Sequence, residues 1–107
     1  MSDARSIYRE AFRHFAEGRV DEAIEGYRRS LEADPEFQLA WNGLSLAYRQ
    51  QGDLDAAIEA AHELVSLAPD DPLSYTNLSI VLMQKGLIPE AEDARARATQ
   101  LQAQQES

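Results

Sequence analysis

Polar and apolar residues follow one another along this chain with the period of a helix. The stretch QQGDLDAAIEAA, residues 50–61, sets a glycine ahead of an alanine-rich amphipathic run. A close relative occurs upstream as AEGRVDEAIEGY and a weaker one downstream as MQKGLIPEAEDA. No segment alternates with a period of two over a useful length, so no strands are predicted. The runs are separated by glycine or proline, as in EADPEF and QQGD. Glycine tolerates the left-handed backbone at a helix end, and proline forbids a continuous helix. Asp21 and Asp53 stand near helix starts, where the helix dipole favours a carboxylate. The pattern predicts six helices, over 3–17, 21–33, 37–50, 54–67, 71–84 and 88–104.

These elements repeat. Gly18, Gly52 and Gly86 are evenly spaced, and Ala23, Ala57 and Ala91 keep the same register. So do Pro35 and Pro69, and the bulky residues Ile7, Trp41 and Tyr75. A fixed period of this size implies stacked helix pairs, each unable to bury its apolar face alone. One all-α domain over 1–107 follows, with repeats at about 4–37, 38–71 and 72–105. Helix packing accounts for Trp41, Leu44, Tyr48, Leu54, Ala57, Ile58 and Leu64, with Trp41 expected as the largest buried side chain of the central repeat. The ends are expected to be capped. Ile24/Ile58, Tyr27/Ala61 and Leu31/Val65 give way in the third repeat to Glu92, Arg95 and Thr99. At the other end Glu10 replaces Leu44 and Leu78.

The middle repeat carries Trp41, Leu44, Tyr48, Ala57 and Pro69 where tetratricopeptide repeats carry a tryptophan, leucine, tyrosine, alanine and proline. The first has Ala11, Ala23, Tyr27 and Pro35, and the third has Tyr75, Leu78, Ser79, Ala91 and Ala98. Ser45 stands in place of the signature glycine and Ala61 in place of its aromatic. The chain resembles that family over essentially its whole length. The resemblance implies an α-solenoid of three helix-turn-helix repeats, six antiparallel helices wound into a right-handed superhelix. It does not fix the chemistry, because one fold hosts many functions.

Composition narrows the function. The formal charge is −9, and the chain has no cysteine, which excludes disulfides and thiolate metal sites. No apolar run approaches the roughly 20 residues of a membrane span, and MSDARSIYRE lacks the pattern of a signal peptide. A soluble cytoplasmic protein without membrane insertion is expected. Residues 38–71 hold one basic and six acidic groups, against six and nine in 1–37 and three and four in 72–107. A nucleic-acid backbone calls for a basic footprint, so nucleic acid is not an expected partner. Asp55, Glu59 and Glu63 fall on one helix face and read as a solvated outer surface, with docking of a basic segment as the alternative. The equivalent Asp21, Glu25 and Arg29 are placed to pair internally. His14 and His62 lie far apart in sequence, His14 at a partly packed position and His62 at the surface. No catalytic constellation, phosphate-cradling loop or zinc spacing occurs, so neither an enzyme nor a cofactor is expected.

A second stripe is left over once the core is assigned. Arg5, Tyr8, Phe12 and Phe15, then Leu39, Asn42, Leu46 and Arg49, then Leu73, Thr76, Ile80 and Met83 recur at steps of 3, 4 and 3 on the first helix of each repeat. The family resemblance implies that this side lines a concave groove, together with Asn77. Part of the stripe is assigned to packing between neighbouring first helices; the tail TQLQAQQES, with Leu101 and one alanine, is a poor plug for the rest. One subgroup of the family clamps a chaperone's carboxylate tail with lysine, asparagine and arginine. The matching places here hold Tyr8, Phe12, Gly43, Leu73 and Asn77, so that clamp is not expected. The reading is a protein-interaction adaptor that takes an apolar or amphipathic peptide or helix in the groove. The alternatives are self-assembly into a homo-oligomer through the groove or an end, and a scaffold fragment without its own ligand.

Overall fold

The computed structural model describes residues 3–106; of the expected domain 1–107, Met1, Ser2 and Ser107 lie outside the described residues. Six helices follow in order: α1 (Ala4–Ala16), α2 (Val20–Ala33), α3 (Gln38–Gln51), α4 (Leu54–Leu67), α5 (Pro72–Lys85) and α6 (Ile88–Glu106). Each boundary falls within two residues of the one predicted from the pattern. No strand occurs among the described residues.

Local chemistry sets the helix ends. The Asp3 carboxylate accepts from the Ser6 N–H at 2.8 Å, Asp53 from Ala56 at 3.2 Å and Asp71 from Leu73 at 3.0 Å. These bonds satisfy amides that have no partner inside the helix. Pro72 follows Asp71 at the start of α5, where its missing N–H is not needed. Asp21 does not cap. It sits in the first turn of α2 and accepts from the Gln51 side-chain amide at 2.6 Å, tying α2 to the end of α3. The other ends close identically three times. Gly18, Gly52 and Gly86 take φ of +82°, +92° and +90°. The next amide then reaches back over the last turn, Arg19 to the His14 carbonyl at 2.8 Å, Asp53 to Tyr48 at 3.0 Å and Leu87 to Leu82 at 3.0 Å.

The helices form two layers. Each first helix packs on its own second helix, and α2 and α4 pack on the first helix of the following repeat. The first helices also touch each other, α1 with α3 and α3 with α5. Among the described residues α2 and α4 make no such approach, nor do α4 and α6. The stack is therefore closed along α1, α3 and α5 and splayed along α2, α4 and α6.

Small residues permit the close approach. Ala23, Ala57 and Ala91 are fully buried. At the place of the signature glycine, Ser45 and Ser79 are buried, and their hydroxyls donate to the carbonyls of Ala57 and Ala91 at 3.2 and 2.9 Å. The first repeat has Ala11 there, seated on Gly26 so tightly that a Cβ on Gly26 would lie 2.6 Å from the Ala11 Cβ.

In the central repeat Tyr48, not the expected Trp41, is the largest buried side chain, and among the described residues the largest fully buried one is Tyr27 in the first repeat. The Tyr27 ring lies against Gly43, where an added Cβ would come within 2.6 Å of the ring. Trp41 is half-buried, and its indole N–H donates to the Pro35 carbonyl at 2.8 Å. Because α2 and α4 stay apart, nothing closes over it. The internal pairing expected of Arg29 is also missing; it forms no ion pair among the described residues. At the ends, Glu92, Arg95 and Thr99 were expected to be polar and solvent-facing: Glu92 lies at the surface, and Glu10 is exposed beside Arg13 at 3.4 Å. Leu101 is buried, so the tail continues α6 on α5, with Gln105 donating to the Asp70 carbonyl at 3.1 Å.

Candidate partner-binding face

The stripe predicted on the first helices is not uniform. Phe12, Leu39, Leu73, Ile80 and Met83 are exposed, from 42% for Met83 to 72% for Leu73, well beyond what core side chains show. Arg5 is exposed as well, while Asn42, Leu46 and Arg49 are half-buried. Tyr8 and Phe15 are half-buried and pack against the core.

The α1 portion is an aromatic network. Tyr8 meets Tyr27 at 5.7 Å between ring centroids, Phe12 at 6.1 Å and Phe37 edge-on at 5.6 Å. The Arg5 guanidinium covers the Phe37 ring at 5.8 Å. Burial raises the pKa of Tyr8, and burial together with the neighbouring Tyr8 pushes Tyr27 up to about 12. Both phenols therefore stay protonated at neutral pH and act as neutral packing groups.

The polar members of the stripe are largely engaged internally. Asn77 is buried; its amide nitrogen donates to the Asn42 side-chain carbonyl at 2.7 Å, and its own carbonyl lies 3.4 Å from the Ser45 hydroxyl. This amide bridge joins α3 to α5, so Asn77 serves the stack. The Asn42 amide nitrogen is left as a donor. The Thr76 hydroxyl donates back to the Pro72 carbonyl at 3.1 Å. Arg49 makes no ion pair among the described residues, which leaves its guanidinium for a carboxylate.

The sequence pattern did not reveal a cleft on the opposite side. It has a volume of about 750 Å³ and lies where α2 and α4 diverge over α3. Trp41, Leu44 and Tyr48 form its floor, and Glu32, Glu59 and Glu63 stand at its rim. Its arginine, Arg28, donates to the Tyr48 hydroxyl and lies 5.6 Å from that ring's centroid. The available signal was the repeat register itself. A smaller cleft of about 450 Å³ uses Ile7, Glu10 and His14, the residues one repeat earlier. There the His14 Nδ1 is buried without a hydrogen-bond partner. The acidic line is also divided, since Asp55 pairs with Lys85 at 3.0 Å while Glu59 and Glu63 make no ion pair among the described residues. His62 is exposed, as expected.

Known proteins complete the picture. A family model for the tetratricopeptide repeat matches residues 8–72 and 48–106. No curated protein sequence matches significantly. A crystal structure of MamA superposes with a TM-score of 0.92 at 24% identity, covering 96% of this chain and 60% of that one. The first repeat domain of Spaghetti (RPAP3), solved bound to an HSP90 peptide, gives 0.88 at 21%, covering 92% and 79%. The type III secretion translocator chaperone SycD of Yersinia enterocolitica, described as an alternative dimer, gives 0.87 at 24%, covering 94% and 76%. The chain thus spans about 60% of the MamA chain it matches, and these likenesses are of fold. With a family model over nearly all of its length and a matching stack of three helix pairs, the chain belongs to the tetratricopeptide repeat family.

Proposed function

We propose that this chain is a cytoplasmic protein-interaction adaptor that holds an apolar or amphipathic segment along α1, α3 and α5. The observation that carries the reading is the set of five large apolar side chains, Phe12, Leu39, Leu73, Ile80 and Met83, exposed on the first helices. An apolar patch of that extent on a folded domain ordinarily marks an interaction site. Three first helices spaced by roughly 8–10 Å give a face on the order of 25 Å long, enough for about four or five turns of a helix. Met83 adapts to imperfect shapes, and Asn42 and Arg49 supply oriented polar contacts. The three repeats, at about 4–37, 38–71 and 72–105, act as one unit.

The RPAP3 domain was solved with a chaperone peptide, which supports a peptide ligand in general. Lysine and arginine are missing at Tyr8, Phe12, Gly43, Leu73 and Asn77, and Asn77 is held by Asn42, so a carboxylate clamp is not part of this proposal. A second copy of the chain is the rival occupant. It draws on the same exposed residues and on the description of SycD as a dimer.

The test is Phe12→Glu combined with Ile80→Glu, both at exposed positions, where a charge does not disturb the core. Capture of a partner from native extract should fall by at least about tenfold, the loss of more than one apolar anchor. Helicity and melting should stay near those of the parent. Retained capture would remove the inner face from consideration. Sedimentation distinguishes the rival: a dimer that the same pair of substitutions dissolves would make the ligand a second copy.

A further inference from the structure

We infer a second docking site, on the outer side of the molecule, for a partner segment that presents an arginine among apolar residues. The cleft between α2 and α4 would seat the arginine against Trp41 and its apolar neighbours against Leu31, Leu44 and Ala60. Its volume of about 750 Å³ lies within the range of ordinary ligand sites, roughly 300–1,000 Å³.

The choice of occupant comes from comparing the repeats. In the third repeat, Tyr75 takes the place that Trp41 holds in the second, and the Arg97 guanidinium lies over its ring at 6.0 Å. Arg97 itself takes the place of Glu63. The third repeat therefore covers its own ring with its own cation. In the first repeat the same two places hold Ile7 and Arg29, a cation without a ring. Only the middle repeat holds an aromatic ring and a carboxylate at these two places, and among the described residues no cation lies over that ring. A guanidinium supplied from outside would complete the arrangement that the third repeat builds internally.

Electrostatics point the same way. Glu32, Glu59 and Glu63 line the cleft and make no ion pair among the described residues. Arg28 also lines the cleft but forms no ion pair with them among the described residues; its guanidinium is directed at the hydroxyl and ring of Tyr48. The Trp41 indole N–H is fixed on the Pro35 carbonyl, so the ring is held in place rather than free to turn away. Tryptophan is the best ring for a cation, and a guanidinium can stack on it while its N–H fork meets a carboxylate. An arginine thus suits the site better than an unassisted apolar side chain.

Trp41 is the chain's single tryptophan, so its fluorescence reports directly on this cleft. The probe is a synthetic amphipathic helix of about four turns, with a leucine stripe and two arginines one turn apart. Its control replaces both arginines by citrulline, which keeps the shape and removes the charge. A Phe12→Lys, Ile80→Lys background keeps the cationic probe off the inner face by like-charge repulsion. Saturable change in Trp41 emission is expected with the arginine peptide, weaker by about tenfold with citrulline. Glu59→Gln with Glu63→Gln should weaken it by roughly three- to tenfold. Glu63→Arg, at an exposed position, should abolish probe binding and shield Trp41 from acrylamide, because the cleft then covers its own ring. The proposal fails if no saturable change occurs up to about 1 mM peptide, the edge of weak binding. It fails equally if citrulline and Glu63→Arg leave binding unchanged, or if Trp41 emission shifts with protein concentration alone, which would assign the cleft to a second copy. None of these outcomes bears on the inner face, which the background has already disabled.

Discussion

The first and second helices are written by the same recurring phrase, yet they build two different surfaces. Along α1, α3 and α5 neighbours touch, and the amide pair Asn42–Asn77 bridges two of them at 2.7 Å. Along α2, α4 and α6 they do not touch. The closed layer leaves a continuous face from which Phe12, Ile80, Met83 and two leucines protrude. The splayed layer leaves a gap that exposes part of Trp41, a residue whose place in the repeat marks it as core. The unequal spacing of the two layers turns one periodic pattern into a closed face on one side and a cleft on the other.

The largest effect should come from Tyr27, which bridges the layers. Tyr27→Ala empties the space against Gly43 and Tyr8 and should cost about 3–5 kcal/mol, as large aromatic deletions in cores do. Only adjacent repeats touch, so no distant layer can compensate. Chemical denaturation with a midpoint near that of the parent would show that the two layers are not joined through this ring.

Trp41→Ala sharpens the contrast from the outer side. The indole is only half-buried and its one hydrogen bond is to an exposed carbonyl, so about 1–3 kcal/mol is expected. A loss equal to that of Tyr27→Ala would mean that the cleft closes in solution.

The smallest effect is a pH dependence confined to the inner core. Tyr8 and Tyr27 both have pKa values raised above the ordinary 10, Tyr27 to about 12. For an acid raised on folding, the native state holds its proton more tightly than the unfolded chain. The resulting stability is complete below about pH 10 and declines as pH rises through 10 towards 12. Denaturation midpoints should fall across that window, and Tyr27→Phe should flatten the decline. A Tyr27→Phe profile that falls as steeply as the parent's would place the titrating groups elsewhere.

Much of this was legible beforehand for a physical reason. Helix ends depend on groups within a few residues of each other, so glycine at φ near +90° and the aspartate caps follow from local sequence. Asp3 and Asp71 were missed as caps although the signal was present, a carboxylate just before a helical run. Asp21 stands in the first turn of α2 as expected, but its bond to Gln51 was not legible, because that partner lies far along the chain in the next repeat. The division of the acidic line is a similar case, set by Lys85 reaching Asp55 across a repeat boundary.

By itself the sequence determined the helices, their period and the membership of each residue in a repeating place, because those depend on backbone preference and on which side chains avoid water. The tertiary structure decided how far successive second helices stand apart. That separation is set by residue volumes summed across neighbouring repeats, such as Gly43 admitting Tyr27, and no single repeat contains both partners. It buried Tyr27 fully, left Trp41 half-buried and fixed Asn77 on Asn42. It also left the middle repeat with an open ring where the third carries an arginine over its own.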